Sequence, residues 1–364
     1  MTNPAFIPSF AGKRVLVTGH TGFKGAWLCY WLHLMGARVT GYSLEPPTQP
    51  SLFQSIKLGS LVNDVRGDIL DADKLAQTFA ETQPEYVFHL AAQALVRLSY
   101  AEPAATYAAN VMGTINVLEA ARTTPGVRVV MNITSDKCYE NREWVWGYRE
   151  CDPMGGHDPY SSSKGCAELV AQAYSRSFFN QPDGPLLASV RAGNVIGGGD
   201  WAADRLVPDC IKALQNGQEI VLRSPLAVRP WQHVLEPLSG YLTLAARIWD
   251  KGQDFSGGWN FGPDPREQWT VEQVVNGIVN LWGSGSYSVT ATPQPHEAHM
   301  LKLDCSKANS LLGWQPRWNV QKALEVTVEW YRAHGSNQNP ELLRDVCRRQ
   351  ITDHSSRSDE EAGT

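Results

Sequence analysis

The sequence predicts an α/β protein, an open doubly wound parallel sheet followed by a smaller C-terminal domain. Short β-branched runs alternate with longer helix-like segments through the first half of the chain, as parallel strands joined by crossover helices do. A glycine-rich turn stands directly after the first of these runs. Finally, 364 residues against roughly 150 for a typical domain leave room for a second, unequal unit.

Taken in order, Lys13–Thr18 (KRVLVT) reads as the first strand and Arg38–Tyr42 (RVTGY) as the second. Tyr86–Leu90 (YVFHL), Val127–Thr134 (VRVVMNIT) and Leu186–Arg191 (LLASVR) follow, with helical stretches such as Thr106–Arg122 and Tyr160–Ser177 between them. Residues 1–192 therefore read as a Rossmann-like domain. From Gly193 the texture changes to loops rich in Gly, Pro and Trp (VIGGGDW, RSPLAVRPWQ, SGGWNFGPDP) between shorter helices. Residues 193–350 read as a substrate-binding domain, some segments of which return to the first. Ser355–Thr364 is polar with no aliphatic residue larger than Ala, so 351–364 reads as a frayed tail.

With 43% hydrophobic and 10% aromatic residues the chain can bury a sizeable core. Its 32 Lys and Arg against 37 Asp and Glu give −5, which provides no field for nucleic acid or an anionic membrane. An anionic substrate must be caught locally. The seven cysteines are scattered, without a C-x-x-C, which argues against a disulfide framework and a zinc ribbon and for a reducing cytoplasm; no metal is expected. No basic-then-apolar leader and no run of about 18 apolar residues is seen, so neither an export signal nor a membrane span is expected.

The first chemical constellation is Thr18-Gly19-His20-Thr21-Gly22-Phe23-Lys24-Gly25, between a strand and the apolar pattern AWLCYWLHLMG. Its glycines allow a tight turn and close backbone approach to a pyrophosphate seated on the helix N-terminus. The alternative is an ordinary strand-to-helix connection. The spacing differs from G-x-G-x-x-G and resembles that of the short-chain dehydrogenase/reductase family. At the end of the second strand, where Asp or Glu often holds the adenosine ribose, stands Ser43. It can bond a hydroxyl, and no Arg follows to hold a 2′-phosphate, which favours NAD over NADP. The resemblance places Asp68 and Ile69 against adenine, although a turn after a strand accounts for them equally well. Ala91, Ala92 and Gln93 end another strand in mostly small residues that suit close passage of a cofactor.

Tyr160-Ser161-Ser162-Ser163-Lys164 opens a helix and forms the second constellation. Residues four apart share a helix face, so Lys164 can draw the Tyr160 phenol below its ordinary value of about 10 and make it a usable base. Alone, such a pair is a common surface feature; after a glycine-rich turn and alternating elements it reads as catalytic. The third constellation is Thr134-Ser135-Asp136-Lys137-Cys138-Tyr139, at a strand end facing the same crevice. Asp136 and Lys137 supply an acid and a base side by side, as proton abstraction from carbon and expulsion of a hydroxyl require. The alternative is a solvated Asp-Lys turn with only Ser135 or Thr134 acting.

TGHTGFKGAWL, TSDKCYEN, DPYSSSKGCAE, RAGNVIGGGDWAADRLVPD and RPWQHVLEPLSGYL together resemble the CDP-glucose 4,6-dehydratases, an extended branch of the short-chain dehydrogenases, over residues 10 to 335. The resemblance implies a lyase that converts CDP-D-glucose to CDP-4-keto-6-deoxyglucose for deoxysugars of bacterial surface polysaccharide, with NAD reduced and reoxidised in each turnover. It assigns Tyr160 to the C4 hydroxyl, Lys164 to the ribose and to tuning Tyr160, and Ser135 to the same hydroxyl. Lys137 then removes the C5 proton, Asp136 protonates the departing C6 hydroxyl, and hydride returns to C6. Related dTDP-glucose and GDP-mannose dehydratases use a Glu where Lys137 stands. Asn194, Arg205, Arg229 and His233 become candidates for the nucleotide end, since a buried diphosphate takes guanidinium forks and amide donors. Trp201 offers a face for cytosine, although with thirteen tryptophans in the chain most belong simply to core or interface, and Glu297, His299 and Asp304 lie where the family closes its cleft. The family habit further implies a homodimer or homotetramer paired through Thr106–Arg122 and Tyr160–Ser177. Two rival readings are a nucleotide-sugar 4-epimerase, which has no use for Asp136 and Lys137, and a non-catalytic dinucleotide sensor, for which Ser135, Tyr160 and Lys164 would be superfluous.

Overall fold

The apolar runs become parallel strands because each has residues to bury on both faces. A computed structural model of the chain describes residues 7–179, 184–290 and 301–356. Its sheet comprises β1 (Arg14–Thr18), β2 (Arg38–Ser43), β3 (Asn63–Arg66), β4 (Tyr86–His89), β5 (Val129–Ile133), β6 (Leu186–Ala192) and β7 (Gly257–Phe261). The spatial order is β7-β6-β5-β4-β1-β2-β3, and every pairing is parallel. Alternate residues feed two cores. Val15, Val17, Phe88, Met131 and Val190 join one, while Leu16, Val87, Val130 and Leu187 join the other.

The smaller core packs under α2 (Ala72–Thr82), α3 (Gly113–Thr123) and α4 (Pro159–Tyr174). The larger runs without a break from α1 (Phe23–Leu34), through α5 (Leu206–Gln215), α6 (Leu235–Lys251) and α7 (Val271–Trp282), to α8 (Val320–Ser336) and α9 (Pro340–Ser356). Trp27, Trp259 and Trp330 are among its fully buried side chains, which accounts for several of the thirteen tryptophans.

Three features depart from the sequence reading. β3 is a short, polar edge strand (NDVR) and β7 begins in two glycines, so neither shows an apolar run. Residues 351–356 are not a tail: they are the last turns of α9, with Ile351, His354 and Ser355 buried. Arg317 closes this helix end by donating to the carbonyls of His354 and Ser355 at 2.7 and 3.1 Å. The stretch Thr106–Arg122 is continuous but begins at Pro103 and contains a π-helical turn, Ala108–Met112, ahead of α3. Among the described residues no helix is long and apolar enough to cross a membrane.

The strand order reverses between β1 and β4. A parallel sheet opens its crevice beyond the carboxyl ends of its strands at that switch point, so the segments after β1, β4 and β5 all face one cleft.

Candidate active site

The turn after β1 is built for backbone contact. Gly19 has φ +77°, and a Cβ there would lie 2.7 Å from the Ala91 nitrogen; one on Gly25 would lie 2.1 Å from the Gly19 carbonyl oxygen. Only glycine closes this loop against the segment after β4. Gly22 precedes α1 in extended conformation and no side chain caps the helix, so its first N–H groups point into the crevice. Phe23 and Lys24, half-buried, open α1.

Side chains in this cradle divide. Thr21 Oγ1 and Ser43 Oγ bond each other at 2.8 Å, joining the turn to the end of β2. The Ala91 amide donates to Thr18 Oγ1 at 3.2 Å, Ala92 follows, and Ile69 lies under Gly113, where a Cβ would come within 2.3 Å of it. The Asp68 carboxylate accepts from the Leu70 amide at 2.9 Å, which fixes the turn after β3. Two expected ligands are turned inward. The His20 ring lies over Gly41 and bonds Asp64 Oδ1 through Nε2 at 2.9 Å, so only its backbone faces the crevice. Gln93 spends its side-chain amide on the protein itself, accepting from the Leu95 amide of its own loop and donating to Thr106 Oγ1, on the helix that begins at Pro103, at 2.9 Å. Asn110, missed in the sequence, accepts from the Gln93 amide at 2.8 Å and donates to Ser163 Oγ at 2.8 Å, tying that loop to α4. Its signal is local: it sits in the π-helical turn.

After β5 the chain turns through Asp136–Cys138, packed against the start of α4. Asp158 caps α4 from the Ser161 amide at 2.9 Å, and Pro159 follows at its first position, where a missing N–H does no harm. Tyr160 is thereby presented beside Ser135 and Asp136, with Lys164 one turn further along the helix. Ser135 Oγ donates to Asp136 Oδ1 at 3.0 Å. Asp136 is 3% exposed, and burial raises its pKa above the ordinary value against the pull of Lys137, Ser135 and Lys24. Burial lowers Lys164 to about 8, which Glu168 opposes. Burial also holds the Tyr160 phenol up at about 12, although a hydrogen bond with Ser135 and the Arg205 charge pull it down. Lys164, expected to lower this phenol, is not among the groups that move it; burial dominates. Lys24 reaches the same centre. Its ammonium stands 5.8 Å over the Tyr241 ring, and burial, with Arg205 and Lys164, lowers it to about 8.

Behind the centre lies a network that sequence reading missed. Arg191 bonds Glu168 in bidentate fashion, Nε to Oε1 at 2.9 Å and Nη2 to Oε2 at 2.8 Å. The Thr134 hydroxyl donates to Glu168 Oε1 at 2.5 Å. Arg191 Nη1 donates to Tyr139 Oη at 2.6 Å, and Tyr139 donates to Asn260 Oδ1 at 2.8 Å. One set of bonds thus ties β5, the Asp136 turn, α4, β6 and β7 together.

In the C-terminal half, Arg205 pairs with Asp200 at 2.8 Å beside Tyr160, and half-buried Asn194 follows β6. Arg229 pairs with the Trp269 strand and lines a cavity with Pro230, Asp264, Glu267 and Leu303. His233, expected at the nucleotide end, is instead fully buried between Trp27 and Trp318. Trp201 is likewise packed on Tyr331 and His334 rather than open to a base. Asp304 caps its own turn through the Ser306 amide at 2.8 Å. Glu297 and His299 lie outside the described residues.

A family model described as GDP-mannose 4,6-dehydratase matches residues 16–327. The chain is similar to the CDP-glucose 4,6-dehydratase of Salmonella typhimurium, with 58% identity over 327 residues, covering 88% of this chain and 91% of that protein. It is 28% identical to a dTDP-glucose 4,6-dehydratase of Streptomyces antibioticus over 88% of this chain and 92% of the relative. Among solved structures, a Streptomyces venezuelae dTDP-glucose 4,6-dehydratase double mutant with NAD bound superposes at TM-score 0.74 and 25% identity, over 88% of this chain and 97% of that one. The UDP-glucose 4-epimerase of Thermotoga maritima with UDP-glucose does so at TM-score 0.74 and 25% identity, over 87% and 98%.

Proposed function

The chain belongs to the GDP-mannose 4,6-dehydratase family, and from that premise we propose that it dehydrates CDP-D-glucose to CDP-4-keto-6-deoxy-D-glucose with NAD as its catalytic cofactor. The observation that carries this reading is the buried Asp136, its pKa raised, beside Lys137 at the crevice mouth of β5. A buried acid that holds its proton more tightly than usual, next to an amine, suits loss of water across C5 and C6. Identity to the Salmonella enzyme supports the choice of nucleotide.

The cradle fits NAD: Gly19 and Gly25 leave no room for side chains, and uncapped amides of α1 face the crevice. When bound, NAD supplies the redox chemistry, accepting the C4 hydrogen as hydride and returning it to C6. The chain's own groups move the protons. Tyr160 takes the C4 hydroxyl proton while Ser135 bonds that oxygen, its phenol drawn down from its buried value when the positive nicotinamide ring of NAD lies beside it, and Lys164 holds the ribose. The C4 ketone then acidifies C5, Lys137 removes its proton, and Asp136 protonates the leaving C6 oxygen. Arg229, Arg205 and Asn194 hold the diphosphate end. The exposed side chains of Tyr107, Met112, Leu169 and Phe178 favour pairing of two copies through the helices around α3 and α4.

The test is incubation with CDP-glucose deuterated at C4. The label should appear at C6 of a 4-keto-6-deoxy product with no net NADH. The epimerase-like fold keeps a second reading in view, and a CDP-galactose product that retains its C6 hydroxyl would establish it in place of the first.

A further inference from the structure

Tyr241, on α6, is fully buried, yet its hydroxyl makes no hydrogen bond to any described residue. Phenylalanine would fill the same volume without a stranded polar atom, which burial penalises. Packing already fixes the ring. Phe261 meets it edge to face at 5.7 Å between centroids, and Gly240 permits that contact, since a Cβ there would lie 2.3 Å from the Phe261 ring. The hydroxyl adds nothing to this arrangement.

The groups whose charge it feels are Asp136 and Tyr160. Asp136 is faced by Lys137 and Ser135 from its own turn and by Lys24 from α1; Tyr160 is faced by Ser135, Arg205 and Asp158. Ser135 donates to Oδ1 of the Asp136 carboxyl. Oδ2 lies against Gly193, where a Cβ would sit 2.7 Å from it, and the Lys24 ammonium that acts on Asp136 stands 5.8 Å over the Tyr241 ring.

We propose that Tyr241 is a positioning residue of the elimination, its phenolic O–H donating to the Asp136 carboxylate that remains once this acid has protonated the leaving group. The inference rests on the dehydratase reading above. In that step Lys137 takes the C5 proton, the C5–H pair forms the C5–C6 double bond, and the C6–O bond breaks. The proton of Asp136 goes to that oxygen, which departs as water. The Tyr241 proton stays in place: burial raises this phenol far above its ordinary value, so it remains a donor throughout.

Tyr241→Phe is the test, because it removes a hydroxyl that the fold does not use. The expected result is an unchanged or raised thermal midpoint, KM for CDP-glucose near wild type, kcat lower by about tenfold, and C5 exchange with solvent at the wild-type rate. A donor to a carboxylate lowers its pKa, so losing it should carry the alkaline limb of kcat to higher pH. Combined with Asp136→Asn, Tyr241→Phe should slow turnover no further. Wild-type kcat and an unmoved limb in Tyr241→Phe would overturn the assignment, as would a lowered thermal midpoint, which would reveal a structural bond. A wild-type enzyme that makes no 4-keto-6-deoxy product would instead overturn the dehydratase reading.

Discussion

Two carboxylates flank the end of β5, both about 95% removed from solvent, and their surroundings differ completely. Glu168 meets a bidentate guanidinium and a hydroxyl, so its charge is matched and its geometry fixed. Asp136, a few residues from that hydroxyl, meets no guanidinium among the described ion pairs, and burial raises its pKa. Burial alone therefore assigns neither a role. A matched buried charge holds elements together, whereas an unmatched one is held ready to carry a proton.

The largest effects should come from the unmatched side. Lys137→Met, which keeps the apolar stem, should still oxidise C4 and show bound NADH by absorbance, yet lose C5 exchange and turnover by about 10²–10⁴-fold. Asp136→Asn should preserve C5 exchange while slowing loss of the C6 hydroxyl over the same range. It should also stabilise the fold. A raised pKa means that the folded state binds more protons than the unfolded state above the ordinary carboxylate range, so this group withdraws stability as pH rises; Asn removes that loss. A higher thermal midpoint at neutral pH than for wild type, with the gap closing in acid, would sharpen the contrast. C5 exchange at the wild-type rate in Lys137→Met would transfer the base role elsewhere.

On the matched side the response should be structural. Glu168→Gln leaves Arg191 buried without its counter-charge, and should lower stability by about 3–5 kcal/mol in denaturant titration. A stable Glu168→Gln enzyme with a collapsed rate would erase the distinction.

The division also explains what could be read before folding. β1, β2, β4, β5 and β6 are legible because strands buried on both faces carry several β-branched, aliphatic or aromatic residues close together, while β3, polar at the edge, and β7, starting in Gly257-Gly258, do not stand out. Ser135, Asp136, Lys137, Tyr160 and Lys164 are legible because each set is local, a strand end or one helix turn. Glu168, Arg191, Tyr139 and Asn260 meet only in the fold, from four separate segments. The inward turn of the His20, His233 and Trp201 rings is hidden for the same reason: whether a ring faces a crevice or a core is decided by neighbours distant in sequence.

Among the cations the contrast predicts a smaller effect. Arg191 pairs with Glu168 deep in the fold, and Arg229 lines a cavity with Pro230 and Asp264. Arg229→Ala should raise KM for CDP-glucose at least about tenfold, the value of one charge-assisted bond, with NAD affinity by fluorescence titration unchanged. An unchanged KM would remove Arg229 from the diphosphate end.

The smallest effect tests where the boundary between the two carboxylates falls, at the Thr134–Ser135 peptide. Thr134 turns its hydroxyl to Glu168, and its amide is bonded to the Val190 carbonyl at 2.9 Å, so its backbone is held by the sheet whatever its side chain. Ser135, the next residue, turns its hydroxyl the other way, to Asp136. Valine replaces threonine with the same shape and is equally suited to the end of a strand. Glu168 would keep both bonds from Arg191, so losing one donor of three should lower stability by only about 1 kcal/mol. The lost hydroxyl faces away from the crevice, so kcat for Thr134→Val should stay within about threefold of wild type, while Ser135→Ala should fall by about 10²-fold or more. Steady-state kinetics of the two variants decide the point. If Thr134→Val fell as far as Ser135→Ala, the matched carboxylate would be working in the reaction after all, through the hydroxyl it holds.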